Sequence, residues 1–271
     1  MPVAPPILVT APTLNPARYG LLSAAEMMTE TDPHWVNGVE YHHNPIPGAA
    51  TSSTACVDTP ADERELPEGM PTDQALPIPV WAGFQCKHPG LTAAEIEAYA
   101  RTKLAASEQA FLERTVWADA DTPLMDPAIA TPAGTAALSI LAGLGDLEEW
   151  LWESYGGTGV LHIPRRFAPH LFAAKQIDIT GQKATTKLGT TVSFGAYPGS
   201  DPAGADPAAG TSWVVATGQV QIRRSPVAVH TANGSAYFNY TTNGVIGLAE
   251  RTYVVNWDGV RAAAPITFEE P

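Results

Sequence analysis

Residues 135–171, TAALSILAGLGDLEEWLWESYGGTGVLHIPRRFAPHL, contain the pattern that decides the fold. In the first part, apolar residues stand mostly three or four positions apart, as one buried face of a helix requires. These residues are Ala137, Leu138, Leu141, Leu144, Leu147, Leu151 and Trp152. Gly156 and Gly157 end this helix, because glycine adopts the left-handed C-cap conformation without a Cβ penalty. We therefore predict a helix over residues 135–155.

The remainder of the stretch predicts a short strand and a second helix. Residues 160–163 are an apolar run that contains His162, and Pro164 ends it because proline has no backbone N–H to donate. A new helix is predicted over residues 167–175. This helix–strand–helix pattern is a packing unit and contains no assembled catalytic set.

Residues 92–116 predict the longest helix. Thr92 and Glu95 have the spacing of a capping box, in which each side chain bonds the backbone of the other. One side is apolar, with Ile96, Ala100, Leu104, Phe111 and Leu112, and the other is charged, with Glu97, Arg101, Lys103, Glu108 and Arg114. One apolar side and one charged side are typical of a helix that packs on a sheet, so we expect Phe111, on the apolar side, to be buried.

The rest of the chain predicts strands and loops. After residue 175, alternating apolar and polar residues predict strands over 185–194, 211–216, 219–224, 227–230, 251–257 and 264–268. Residues 119–132 and 197–210 are predicted loops. Before residue 90, only short elements are predicted, namely helical turns at 21–28, an extended piece at 39–41 and a strand at 80–84. So long an irregular region predicts packing against a neighbouring subunit.

Composition excludes several classes of function. The chain has 271 residues, of which 45% are hydrophobic and 16% charged, enough for one large domain or two small ones. The net charge of −13 argues against a nucleic-acid-binding surface, because the basic residues cluster only as Arg165-Arg166 and Arg223-Arg224. No secretory signal and no membrane span of roughly 20 apolar residues is visible. The charge still allows a protein that encloses nucleic acid without gripping it.

Candidate metal ligands form only a weak pattern. His42, His43, Cys56, Cys86 and His88 are suitable residue types, but neither CxxC pairs nor an HExxH motif is present. Reduced, structural cysteines and solvent-facing histidines are the simpler interpretation.

Candidate catalytic residues also lack their usual context. His162 has no recognisable nucleophile or orienting acid, so we favour a hydrogen-bonded core or interface histidine. Glu148, Glu149 and Glu153 could serve acid–base chemistry, but are more simply the solvated face of a helix. The glycines at 156–159 follow a helix instead of a strand, which is wrong for a phosphate loop. We predict no catalytic, cofactor-binding or metal-binding residues and no enzymatic activity.

In layout, residues 78–268 resemble the major capsid proteins of tailed bacteriophages, whose shell fold is shared with encapsulins. Residues 92–116 are similar to the spine helix of that family, and 135–155 to a helix of its axial domain. Residues 159–164 resemble its buried strand, which ends in a His-Pro or Asn-Pro turn. Residues 188–192 resemble its leucine-glycine-x-proline-valine strand, with Thr191 in place of proline. Residues 156–257 are also similar to virion proteins of actinobacterial phages, and the Ala- and Pro-rich composition agrees with such a host.

The resemblance implies an α+β, tailed-phage capsid-like fold with five regions. These are an N-terminal arm (1–36), an extended loop region (37–90), a peripheral domain with the spine helix (91–130), an axial domain (131–245) and return strands to the peripheral domain (246–271). It also explains the irregular first 90 residues, because the arm and loop of that fold lie across neighbouring subunits.

The resemblance further implies a structural virion protein. Such a major capsid subunit assembles with itself into pentamers and hexamers of an icosahedral head, encloses double-stranded DNA without sequence-specific binding, and contacts virion proteins such as the portal, scaffold or decoration protein. Its location is the virion, assembled in the host cytoplasm, without a membrane. The alternatives are a minor virion protein (connector, tail or decoration), an encapsulin-like shell, and a hydrolase using His162 or a metal at Cys86 and His88.

Overall fold

The computed structural model describes residues 12–31, 33–44, 47, 69–87, 92–230, 238–239 and 244–268. The helices are α1 (Leu21–Ala24), α2 (Ala93–Arg114), α3 (Ile140–Ser154) and α4 (Ala168–Ala173). The strands are β1 (Glu26–Thr29), β2 (Val39–His42), β3 (Thr72–Ala75), β4 (Pro77–Cys86), β5 (Leu138–Ser139), β6 (Val160–Pro164), β7 (Ile177–Thr180), β8 (Lys183–Thr186), β9 (Thr191–Gly195), β10 (Thr211–Thr217), β11 (Val220–Arg224), β12 (Ala228–His230), β13 (Phe238–Asn239), β14 (Gly244–Trp257) and β15 (Arg261–Thr267).

A six-stranded sheet is organised around the long strand β14. Along one edge, β14 pairs antiparallel with β4 over ten positions. Along the other edge it pairs in turn with β11, β12 and β13, and β1 adds a parallel edge strand to β11. Helix α2 packs on this sheet against β4 and β14. Strands β1 and β4 therefore lie in a sheet of their own chain, so the expectation that the first 90 residues depend mostly on neighbours is wrong for these two segments.

Helix α2 begins as predicted, with Thr92 as its N-cap and both bonds of the capping box present. It ends at Arg114 and continues as a π-helical turn, Thr115–Asp119. Ile96, Ala100 and Leu104 are buried in its first half. In its second half the buried side has rotated to Leu112 and Glu113, and Phe111 is 45% exposed. The prediction of a buried Phe111 is therefore wrong, because the covered side of the helix has shifted to Leu112 and Glu113 at this position.

A seven-stranded sheet has the order β5-β15-β10-β6-β9-β8-β7. Strand β6 is completely buried at its centre, and its side chains alternate between the two faces. Leu161 and Ile163 join Leu147 and Leu151 of α3 in one core cluster. The neighbouring cluster, which includes Val160 and Tyr197, combines residues of α2 with residues of both sheets.

Helix α3 is shorter than the predicted helix over residues 135–155. It begins after Ser139, whose hydroxyl accepts the N–H of Ala142, and Leu138 and Ser139 pair with β15 instead. Gly156, at φ +72°, follows the last turn in the predicted left-handed conformation. Leu141 and Trp152 are exposed, whereas the buried face of the helix consists of Leu144, Leu147 and Leu151.

Three further sequence predictions need correction. The predicted strand over residues 185–194 is two antiparallel strands, β8 and β9, joined by a turn that contains Gly189 at φ +92°. The helical turns predicted over 21–28 end at Ala24 and give way to β1. The helix predicted over 167–175 is α4, preceded by a 3-10 turn, Arg165–Phe167. The remaining predicted strands are present with longer or slightly shifted ends.

The two sheets do not follow the predicted regions strictly. Strands β11 and β12 fall in the predicted axial region but belong to the sheet of α2, and β15 falls among the predicted return strands but belongs to the seven-stranded sheet. The reason is that β10–β11 and β14–β15 each pass from one sheet to the other through a short connection, so sequence order and sheet membership alternate. Within the described residues, no helix is long and apolar enough to cross a membrane.

We predict that Leu112→Ala destabilises the subunit far more than Phe111→Ala. Leu112 has no exposed surface, so emptying its site should lower the free energy of unfolding by about 2–5 kcal/mol. Half-exposed Phe111 should cost about 1 kcal/mol or less. Urea unfolding of the two variants measures both values. Equal losses would show that Phe111 is buried and that the orientation of α2 described above is incorrect.

Candidate assembly surfaces and buried polar clusters

His162 lies at the centre of a fully buried polar cluster between α2 and the seven-stranded sheet. Its Nδ1 is 3.1 Å from the hydroxyl of Tyr197, and its Nε2 is 3.0 Å from Oγ1 of Thr217. Thr217 Oγ1 donates to the carbonyl of Gly218, so it accepts from the Nε2–H of His162. Tyr197 then donates to Nδ1, and Ser193 Oγ, at 2.7 Å, donates to Tyr197. Every polar group of the cluster thus has a partner in one consistent set of proton positions.

This arrangement makes His162 a structural residue. Burial lowers the pKa of the imidazole from 6.5 to about 3, so the ring is neutral at neutral pH. Both nitrogens are occupied and the residue has no exposed surface, so no substrate can reach it. The geometry is that of the hydrogen-bonded core histidine favoured by the sequence.

We predict that His162 makes the subunit less stable in mild acid. The folded state resists protonation of this ring and the unfolded chain does not, so the folded state binds fewer protons. The free energy of unfolding should therefore fall as the pH drops below 6.5 towards 3, with a slope of up to about 1.4 kcal/mol per pH unit. Above pH 6.5 this contribution should be constant.

The control is His162→Gln, whose amide can accept from Tyr197 and donate to Thr217 without titrating. Denaturant unfolding between pH 5 and 7 should show a smaller slope for this variant. Should the variant fail to fold, an NMR titration of the His162 ring in the wild type gives the same information. A ring that titrates near 6.5 in the folded protein would contradict the prediction.

A second polar cluster surrounds Asp258, in the connection between β14 and β15. Its carboxylate accepts the backbone N–H of Asn44 at 2.8 Å, the side-chain amide of Asn44, and the hydroxyl of Tyr155 at 2.9 Å. His43 Nδ1 accepts the N–H of Gly259 at 2.7 Å. Burial raises the pKa of Asp258, but the hydrogen bonds from Asn44 and Tyr155 outweigh it and hold the pKa below the usual range. The cluster anchors the end of β2 on the junction of the two sheets.

The candidate metal ligands are not gathered by the described structure. His43 belongs to the Asp258 cluster, whereas Cys56 and His88 lie outside the described residues and Cys86 is described only as the last residue of β4. Among the residues that the structure describes, no group of three or more His, Cys, Asp or Glu side chains could hold a metal ion.

We predict that Asp258→Ala releases the end of β2. Removing the carboxylate leaves the N–H of Asn44 and the hydroxyl of Tyr155 without their acceptor, at a cost of about 1–3 kcal/mol. Hydrogen exchange over residues 39–44 should become faster. The matched control is Asp178→Ala, which removes an exposed partner of Lys187 and should cost less than about 1 kcal/mol. Unchanged exchange at 39–44 would show that Asp258 does not anchor this segment.

Glu113 ties the N-terminal segment to both sheets, a role that the sequence did not indicate. This buried residue of α2 accepts the N–H of Leu21 at 2.9 Å, the N–H of Ala196 at 2.6 Å and the side-chain amide of Gln109 at 3.0 Å. Burial raises the pKa of its carboxyl, and these hydrogen bonds together with the charge of Arg165 only partly offset the effect. The signal in the sequence is slight, namely a carboxylate next to Leu112 on the apolar side of the helix.

The glutamates of α3 occupy two different environments. Glu148 is half-buried and accepts the hydroxyls of Thr186 and Thr190, each at 2.6 Å, so it joins α3 to the β8–β9 turn. Glu149 and Glu153 are exposed. The interpretation of all three as a solvated face is therefore wrong for Glu148.

Large apolar side chains are exposed on several faces of the chain. Trp81 is 67% exposed on β4, and its neighbours Val80 and Ala82 are buried on the α2 side, so Trp81 lies on the opposite face of the sheet. Trp152 of α3 and Leu188 of the β8–β9 turn are each 74% exposed. Trp152 and Leu188 line one common groove, and contiguous apolar surface is typical of sites that bind partners. These are the candidate assembly surfaces of the chain.

Comparison with solved structures identifies the class of fold. The chain is similar to the capsid of a native GTA particle, with a TM-score of 0.54 and 13% identity over 98% of this chain and 95% of that chain. It is also similar to a structure of Microbacterium phage Oxtober96, with a TM-score of 0.55 and 12% identity over 97% of this chain and 95% of that chain. For the capsid of Ralstonia phage GP4, the TM-score is 0.51 and the identity is 7%, over 99% of this chain and 96% of that chain.

The sequence itself matches no protein-family model and no curated protein. The structural likeness extends over nearly the whole of this chain and of each capsid chain. The chain therefore has the fold of phage capsid structures, and the predicted α+β, capsid-like fold is confirmed.

Proposed function

We propose that this chain is the major capsid subunit of a tailed phage and assembles with itself into a closed icosahedral shell. The observation that carries the proposal is the likeness of fold to the GTA capsid over 98% of this chain. Pentamers and hexamers are the proposed building units, and double-stranded DNA is the proposed content. The likeness to a Microbacterium phage structure supports an actinobacterial host.

The two sheets provide the proposed domains. The six-stranded sheet with α2 forms the core of the peripheral domain, and the seven-stranded sheet with α3 and α4 forms the axial domain. The β2–β3 pair is the proposed base of the extended loop, and residues 1–36 contain the N-terminal arm. The predicted boundaries at residues 90, 130 and 245 divide the sequence only approximately into these domains, because the chain passes between the two sheets more than once.

A structural role also agrees with the polar clusters. His162 is fully buried with both nitrogens bonded, and each hydroxyl around it has a further partner in the protein, which supports a non-enzymatic chain. The net charge of −13 supports enclosure of DNA without tight binding to phosphate. Location in the virion, assembly in the host cytoplasm and contacts with portal, scaffold or decoration proteins are parts of the same proposal.

The test is electron microscopy of the purified full-length protein. We expect closed shells, because exposed aromatic residues such as Trp81 become buried only when subunits associate. Rings or tubes would favour a minor virion protein. Shells that hold a cargo protein would favour an encapsulin-like compartment. Monomers under all conditions would overturn the proposal.

A paired variant tests whether exposed apolar surface drives this assembly. Trp81→Glu should lower the yield of particles without lowering the free energy of unfolding of the subunit. The matched control is Gln85→Glu, which places the same charge on the same strand and the same face without removing an aromatic side chain. Equal particle yields for the two variants would exclude Trp81 from the subunit contacts.

A further inference from the structure

An apolar groove of about 820 Å³ runs between α3 and the β8–β9 turn. We call it the α3 groove. Its apolar walls are formed by Leu141, Leu144, Trp152, Ile177 and Leu188. Three of these side chains, Leu141, Trp152 and Leu188, are exposed, so no part of the chain that the structure describes covers the groove.

The wall of the groove that α3 forms is long enough to contact a short helix of a partner. Leu141 and Trp152 are eleven positions apart on α3, which corresponds to about 16 Å along the axis. Gly145 lies between them, and a Cβ atom at this position would meet nothing within 4 Å. The wall therefore has a large apolar side chain at each end and open space between them at Gly145.

The charges at the groove are acidic. Glu148 and Glu149 both line it, and Glu149 is exposed without an ion pair among the described residues. Lys187, the basic residue of the lining, is already paired with Asp178. An occupant with basic residues beside its apolar face would therefore find complementary charge.

We propose that the α3 groove binds a cationic amphipathic helix of another protein. Helix-in-groove recognition uses apolar anchors at i, i+3, i+4 and i+7, which span about 10 Å and therefore fit between Leu141 and Trp152. A second copy of this chain is the less suitable occupant, because the chain carries a net charge of −13 and would bring further negative charge to Glu149. The proposal does not depend on shell formation.

The experiment measures binding of a defined peptide to the purified full-length chain. The probe is a fluorescein-labelled, helical peptide of about 14 residues, with leucine at the i, i+3, i+4, i+7 positions and lysine elsewhere. Two control peptides carry glutamate in place of lysine, or the same leucines and lysines in scrambled order. Fluorescence anisotropy gives the dissociation constant of each.

Three variants locate the binding site. Trp152→Ala removes an exposed anchor and should weaken binding of the lysine peptide about ten-fold or more, as for aromatic hot spots. Glu149→Lys should weaken it by a similar factor. Glu153→Lys, on the same helix but outside the groove lining, is the matched control and should leave the dissociation constant within about two-fold. Thermal unfolding verifies that all three variants remain folded.

Each other outcome overturns the proposal. Equal loss for Glu149→Lys and Glu153→Lys, or equal binding of the scrambled peptide, would show non-specific attraction of cations to an acidic chain. Equal binding of the glutamate peptide would show that charge plays no part. No peptide binding, with self-association lost in sedimentation of Trp152→Ala, would show that a second copy occupies the groove. Shell formation by the wild type is measured separately, so failure of the groove proposal is distinguishable from failure of the proposed function.

Discussion

The crossing of two strand connections at Gly218 and Asp258 is the constraint on which the rest of the structure depends. Here the connection from β10 to β11 lies beside the connection from β14 to β15. Two backbone hydrogen bonds join the two connections: the N–H of Gly218 donates to the carbonyl of Val260 at 3.1 Å, and the N–H of Asp258 donates to the carbonyl of Gln219 at 2.9 Å. A Cβ atom at position 218 would lie 2.3 Å from the carbonyl oxygen of Asp258, so only glycine allows this approach. Because each of these two connections joins a strand of one sheet to a strand of the other, neither sheet can shift without the other.

Buried polar groups fix the arrangement around this crossing. On one side, His162 and Tyr197 complete each other's hydrogen bonds, and on the other the carboxylate of Asp258 holds the end of β2. Glu113 binds the N-terminal segment from within α2. Apolar packing tolerates small displacements, whereas a buried donor or acceptor that loses its partner costs about 1–3 kcal/mol. These clusters therefore favour one relative position of sheets and helix over other compact arrangements.

Local signals in the sequence were sufficient for the type of the longer elements and for several ends, but not for β1 or for the turn between β8 and β9. The capping box at Thr92, the left-handed Gly156 and the buried run that ends at Pro164 act within a few residues, so each could be predicted. Other wrong predictions concern which side of a helix is covered. Periodicity shows that Phe111 and Trp152 lie beside apolar stripes, but how far a neighbouring sheet extends depends on residues distant in the chain. The ligands of the Glu113 and Asp258 carboxylates are likewise remote, at separations of 92 and 214 positions.

The exposed aromatic residues, of which the sequence assigned Phe111 and Trp152 to buried helix faces, have a common physical meaning. A side chain such as Trp152 or Trp81 is as apolar as a core residue, yet within one chain it gains little from burial. In an assembly the same surface is removed from water, at about 25 cal/mol per Å² before the costs of association are subtracted. The negative net charge acts against this gain, because like-charged subunits repel one another at low salt. In the proposed assembly, the apolar surface buried between chains must therefore outweigh this repulsion.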